Sequence, residues 1–329
     1  MKNLKSKLIA SVAMLLVSAV MLTSASFAWF TISTAPEIKG ITTTVVTNET
    51  LEIALDKGYA NEAAVNTAVD NGSASGDYYT WGNLVDLGTA NDGNAGQAYA
   101  ALDKTLRPVK LSSTDKKFFA PTYGTDGRIS NLTKGLTAVA ATGTANGFGL
   151  LIEDADNDNT YDTGEVVYGY YIDYWMRSNV GGAVTLSTAA DRDASSTTTN
   201  TGEGSTFTAG GQTDGHKELA KGIRIAFQDI TSATPGNITE ITPTVADGSH
   251  TGTFSGTVIN NLTANTAAKI RVYIYLDGAS VTNAAASFNT TSITGALNLQ
   301  FTISGVDKSM LTPPTTGGNT GSESGGNTP

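Results

Sequence analysis

The sequence predicts a mainly β protein, an antiparallel jelly-roll-like β-sandwich with inserted loops and short helices. Three observations carry this. Residues 220–227, 252–259, 268–276 and 296–303 each alternate apolar and polar side chains and are separated by turn residues, which is the pattern of strands with one buried face. Residues 166–177, Val-Val-Tyr-Gly-Tyr-Tyr-Ile-Asp-Tyr-Trp-Met-Arg, put large side chains on both faces, so this strand is expected to be central and covered on both sides. The chain has no cysteine, which excludes disulfides and thiolate chemistry and leaves stability to the core, a metal, assembly or another cross-link. An internal Lys–Asn isopeptide bond would serve, but no residue pattern in the sequence identifies one.

The elements follow in chain order. Residues 1–28 have the layout of a secretory signal peptide: Lys2, Lys5 and Lys7, then an apolar run, then small residues ending Ser26-Phe27-Ala28, with the cut expected after Ala28. An uncleaved leader would instead be the chain's one attachment to a membrane. Residues 41–46 and 51–55 read as strands with Asn48-Glu49 at the turn. Residues 56–145 have a weaker pattern and read as an elaboration of the main fold. They hold short helices at 61–69 and 95–106 and a strand at 117–121 ending on a proline. After an apolar run at 147–152 comes the acidic loop 154–165 and the aromatic strand. In that strand Tyr168, Tyr170, Ile172, Tyr174 and Met176 are expected on one face, opposite Val167, Tyr171, Asp173, Trp175 and Arg177. Gly181-Gly182 turns the chain into a strand at 183–186. Residues 187–215, rich in Ser, Thr, Gly and Asp, read as a long surface loop. The segment 311–329 is low in complexity and is expected to be a disordered tail, leaving 41–310 as the jelly-roll-like domain.

Cleavage after Ala28 takes 28 of 329 residues, leaving 301, and the loss of three lysines takes the formal charge from −10 to −13. An acidic surface argues against nucleic acid and anionic membranes as partners, and it suits a secreted protein at the cell surface or beyond it. Acidic loops can also gather divalent cations.

The loop 154–165 is the sharpest local signal. Asp154, Asp156, Asp158, Asp162 and Glu165 stand at loop positions 1, 3, 5, 9 and 12, and Thr160 at position 7 can offer its carbonyl. This is the ligand spacing of an EF-hand loop, which converges alternate residues of a tight turn on a hard cation, so Ca²⁺ is the expected cofactor. Position 6, usually Gly, is Asn159, a residue that tolerates left-handed backbone. The flanks read as strands, so an isolated loop is expected and not an EF-hand domain.

Catalysis is not expected. The two histidines, His216 and His250, belong to no HExxH helix, and no Gly-x-Ser-x-Gly elbow follows a strand. Aromatics of strand 166–177 would make a carbohydrate platform if exposed, but on a central strand they read as core.

The leader from Lys7 onward together with Phe27-Ala28-Trp29-Phe30-Thr31 resembles the SipW-dependent signals of the TasA/camelysin group of secreted fibre-forming proteins of Gram-positive bacteria. The blocks beginning Tyr171-Ile-Asp-Tyr-Trp, Ile223-Arg-Ile-Ala-Phe, Val272-Tyr-Ile-Tyr-Leu and Thr294-Gly-Ala-Leu-Asn resemble pieces of larger TasA-like proteins. The resemblance implies a jelly-roll subunit of an extracellular fibre or biofilm matrix. In it the segment 29–40 would be freed by signal peptidase, and Trp29, Phe30, Thr31, Ile32 and Ser33 would be donated as a strand to the next copy in a head-to-tail homopolymer. A free, β-prone N-terminus fits that role, with Pro36 ending the pairing. A monomeric cell-surface adhesin or carbohydrate-binding module is the alternative. Camelysin-like protease activity is not carried over, because the histidines of a zinc protease are missing.

Overall fold

A computed structural model describes residues 38–47, 51–67, 79–82, 84–86, 106–123, 129–140, 147–162, 165–187, 204–211, 214–280 and 293–303. Ala28, residues 29–33, residues 95–105 of the helix expected at 95–106 and the tail from 311 lie outside the described residues, and Leu106 forms a parallel bridge to Val167 in place of a helical turn. The described chain begins with strands β1 (Ile38–Thr47) and β2 (Leu51–Leu55), a one-turn helix α1 (Glu62–Asn66) capped by the Asn61 side chain, and β3 (Leu84–Asp86). It continues through β4 (Lys110–Leu111), β5 (Phe118–Tyr123), β6 (Ile129–Gly135), β7 (Thr137–Ala140), β8 (Phe148–Ile152), β9 (Val167–Ser178) and β10 (Gly182–Leu186). The last part holds β11 (Thr206–Ala209), helix α2 (Asp214–Gly222), β12 (Ile223–Asp229), β13 (Thr239–Ile241), β14 (Thr244–Val245), β15 (Thr251–Thr253), β16 (Gly256–Leu262), β17 (Ala268–Leu276) and β18 (Ile293–Ile303).

These strands form two large sheets and one small one. The first has the order β14-β15-β11-β18-β1-β3, with β10 also on β18 and β16 beyond β10. The second has the order β13-β12-β17-β9-β8-β7, with β2 also on β9. Each is built on one long strand. β9 has β17 along one side, while on the other β8 pairs its first half and β2 its second. β18 has β1 along one side, with β11 and β10 sharing the other. Every pairing between named strands is antiparallel except β1 with β18, which is parallel. β1 and β2 are therefore not neighbours; they are consecutive strands placed in opposite sheets.

The core lies between the two large sheets. Ile41, Val45, Phe207, Leu297, Leu299 and Phe301 from the first meet Tyr170, Ile172, Tyr174, Met176, Ile225, Ile274 and others from the second. The second sheet is also covered on its outer face. There Phe118 of β5 packs on the rings of Tyr273 and Tyr275 at 4.9 and 5.0 Å, and Val65 of α1 packs with Ala54, Trp175 and Ala267. The prediction for residues 166–177 thus holds, and Trp175 and Tyr171 are core residues with no exposed platform.

One detail differs. From Tyr170 onward the faces alternate as expected, but Val167 joins the inner core and Tyr168 the outer cluster. The cause is a β-bulge: Leu151 lies opposite Gly169 and Ile152 opposite Val167, so Tyr168 has no partner and the alternation resets. Gly169 is needed at that point, since a Cβ there would lie 2.9 Å from Leu151 Cδ1 and 3.0 Å from the Ile274 carbonyl.

The stretch expected to be a long surface loop ends earlier than the composition suggests. Residues 206–209 form β11, with Phe207 fully buried, and α2 follows. His216 lies on α2 and not in a loop. The expected strand at 220–227 begins only at Ile223, and that at 252–259 is divided between β15 and β16. The weakly patterned stretch 56–145 contributes to both layers, β3 pairing with β1 and β7 with β8. Among the described residues no helix is long and apolar enough to cross a membrane.

Candidate functional site

The acidic loop leaves the second sheet at the end of β8 and returns to it at β9. Short-range polar contacts order it, and Tyr161 packs half-buried against the main core. Asn157 and Asn159 both take left-handed backbone, with φ of 62° and 60°, so asparagine at position 6 does what glycine would do there. The Asn159 N–H donates to Asp154 Oδ2 at 3.1 Å. The Thr160 N–H and hydroxyl both donate to Asp158 Oδ1, at 2.7 and 2.6 Å. Glu165 turns its carboxylate back across the loop, accepting from the Asp162 N–H at 2.8 Å and the Ala155 N–H at 3.5 Å.

The loop brings together all five of the expected carboxylates in two overlapping groups. Asp154, Asp156 and Glu165 form one, and Asp156, Asp158 and Asp162 the other; within each, one oxygen per residue lies within 4.8 Å of the others. Asp156 is common to both. Thr160 adjoins them through Asp158, with its N–H and hydroxyl engaged there.

The electrostatics follow from this crowding. The Asp156 carboxyl is raised by desolvation among its neighbours and by the charges of Asp158 and Asp162, against the pull of the Asp158 N–H. Asp158 is lowered by the hydroxyl and N–H of Thr160. Asp154 Oδ1 is buried and has no hydrogen-bond donor. Convergent carboxylate oxygens with one oxygen unsatisfied are the donor set a hard divalent cation takes.

A second polar cluster, on the outer face of the second sheet, was not evident from spacing. Arg271 of β17 makes two hydrogen bonds to the Asp173 carboxylate of β9, at 2.7 and 2.9 Å, and its guanidinium lies 3.8 Å from the Tyr171 ring centroid. Next to it Asp56 accepts from Trp175 Nε1–H at 2.8 Å and faces Lys269 Nζ at 2.9 Å. Burial drives the Tyr171 hydroxyl up to about 12. The signal in the sequence was the presence of Asp173, Lys269 and Arg271 within strands whose other residues are mostly apolar or aromatic. Their partners lie on strands distant in sequence, so only the fold joins them.

A cleft of about 680 Å³ lies between β4 and the outer edge of β13, lined by Lys110, Lys116, Leu132, Ile238 and Glu240 among others. It shares no residue with either polar cluster.

The fold and its loop define a two-sheet β-sandwich with an exposed acidic turn. No family model, curated protein or solved structure matches the chain.

Proposed function

We propose that the mature chain is the structural subunit of an extracellular filament or biofilm matrix, joined head to tail when residues 29–33 of one copy add as a strand to the next. The observation that carries this reading is the pairing of β1. It is flanked by β18 from Ile38 to Thr47, but on its other side β3 reaches only Thr44, Val45 and Val46. Among the described residues no strand pairs that side of β1 from Ile38 to Thr43, although Ile41 and Thr43 are buried, and in sequence this half directly follows the proposed donor. A strand edge without a partner strand is a template for strand addition once what covers it is displaced, with main-chain bonds supplying affinity and alternate side chains supplying fit. A donor at one end and an acceptor elsewhere make a heterologous contact that need not close, which is the geometry of a filament.

In the same reading Ca²⁺ is held by Asp154, Asp156, Asp158, Asp162 and Glu165, with Thr160 beside them. The cation relieves the repulsion among the carboxylates and stiffens the turn between β8 and β9. Electron microscopy of the protein beginning at Trp29 and of a chain lacking residues 29–33 tests assembly. Filaments from the first and dispersed particles from the second are expected. Filaments from both would rule out strand donation by this segment.

A further inference from the structure

The outer-face cluster contains a pair of groups placed to react. Asp56 follows β2, and Lys269 is on β17. These two strands flank β9, and Ala54 and Lys269 are both paired with Trp175, from opposite sides. The Lys269 side chain therefore reaches across β9, with its ammonium 5.7 Å from the Trp175 ring centroid, to Asp56 Oδ2 at 2.9 Å. The Asp56 side chain is 4% exposed and that of Lys269 19%. The other carboxylate oxygen, Oδ1, accepts from Trp175 Nε1–H at 2.8 Å and the Tyr59 N–H at 3.1 Å. Both residues are held through their backbone N–H groups. The Asp56 N–H donates to the Asp173 carbonyl at 2.9 Å, and the Lys269 N–H donates to Thr231 Oγ1 at 2.8 Å.

We propose that Lys269 and Asp56 condense to an intramolecular isopeptide bond. A proton passes from the ammonium to Oδ2, leaving an amine and a carboxylic acid. Nζ attacks Cγ, and the carbonyl electron pair moves to Oδ1, where the Trp175 and Tyr59 N–H groups already point; donors preplaced at the atom that gains charge are what acyl transfer requires. A second proton leaves Nζ for Oδ2, the Cγ–Oδ2 bond breaks and one water departs. The Nζ–Cγ bond forms, and no oxidant, reductant or cofactor takes part. Fixed orientation replaces the concentration of a bimolecular reaction, and the neutral amide removes the desolvation penalty of a buried ion pair. The bond staples β17 to the end of β2 across the central strand, in a chain with no cysteine to do so.

Intact mass of the folded full chain, beside Lys269→Arg, tests this. Arginine keeps a cation facing Asp56 and cannot form the amide. The wild type is expected to be lighter by one water than its own sequence from its determined N-terminus, to yield on proteolysis a branched peptide joining Asp56 and Lys269, and to migrate faster than Lys269→Arg after boiling in detergent. A wild-type mass equal to that of the open chain, with no branched peptide, overturns the proposal and leaves an ion pair. If Lys269→Arg does not fold, the wild-type mass and branched peptide decide alone.

Discussion

The two large sheets share a plan and differ in what covers them. Each is organised on one long strand, β9 or β18, with a full-length partner on one side and two shorter strands sharing the other. The second sheet is covered on both faces, and β9 is buried along nearly its whole length. The first is buried mainly inward: along β18, Gly295, Leu297, Leu299, Phe301 and Ile303 are buried, while of the residues between them Ala296, Asn298 and Thr302 are half-exposed and Gln300 is buried. The lesson is a division of labour. The sheet closed on both faces carries the buried polar cluster, and the other has an outer face only partly covered among the described residues.

The sharpest test of this contrast compares outward-facing residues. Trp175→Ala on β9 empties a covered site and is expected to cost about 3–5 kcal/mol, whereas Asn298→Ala on β18 should change stability by no more than about 0.5 kcal/mol. Denaturant midpoints of the two variants check it, and equal losses would erase the difference between the sheets. Gly169→Ala probes the bulge. With Leu151 and the Ile274 carbonyl so close, overpacking should cost about 1–3 kcal/mol, read in the same assay.

Alkaline pH strikes the covered sheet through its buried tyrosines. Burial raises the Tyr171 hydroxyl from 10.0 to about 12. The folded state thus holds its proton where the unfolded chain releases it, so the stabilisation is complete below about pH 10 and is lost as pH rises through 12. On the order of 2 kcal/mol goes with this residue. Unfolding free energies measured between pH 9 and about 12 should fall for the wild type and fall less for Tyr171→Phe.

The smallest effect expected is that of the acidic loop, whose carboxylates are mostly exposed. Ca²⁺ at ten times its Kd would stabilise the fold by about 1.4 kcal/mol, a rise in Tm of a few degrees. Calorimetry with Ca²⁺ and with chelator measures it. The Asp156→Ala, Asp158→Ala double variant should show no difference between the two conditions.

The contrast also explains what could be read from the chain beforehand. β9, β12, β17 and β18 were legible because apolar and β-branched residues recur in them at the spacing of a strand. β11 was not, since Phe207 is the one large apolar side chain in a run of Ser, Thr and Gly, and its burial comes from β15 and β18 on either side. Nor was the pairing of β1 with β18, because register between segments at opposite ends of a chain leaves no local pattern. The acidic loop was visible for the opposite reason: its carboxylates and its two left-handed asparagines lie within twelve consecutive residues. The Asp56–Lys269 pair was not legible: Lys269 stands out in an apolar strand, but no local pattern ties it to Asp56 near the other end of the chain.

Strand donation is tested most directly by supplying the donor in trans. A chain lacking residues 29–33 is mixed with a synthetic peptide of residues 29–37, and binding is measured by calorimetry. Saturable binding of one peptide per chain, with a rise in Tm and no effect from a peptide of scrambled order, is the result this account predicts. Absence of binding, under conditions in which the intact mature protein forms filaments, would contradict it.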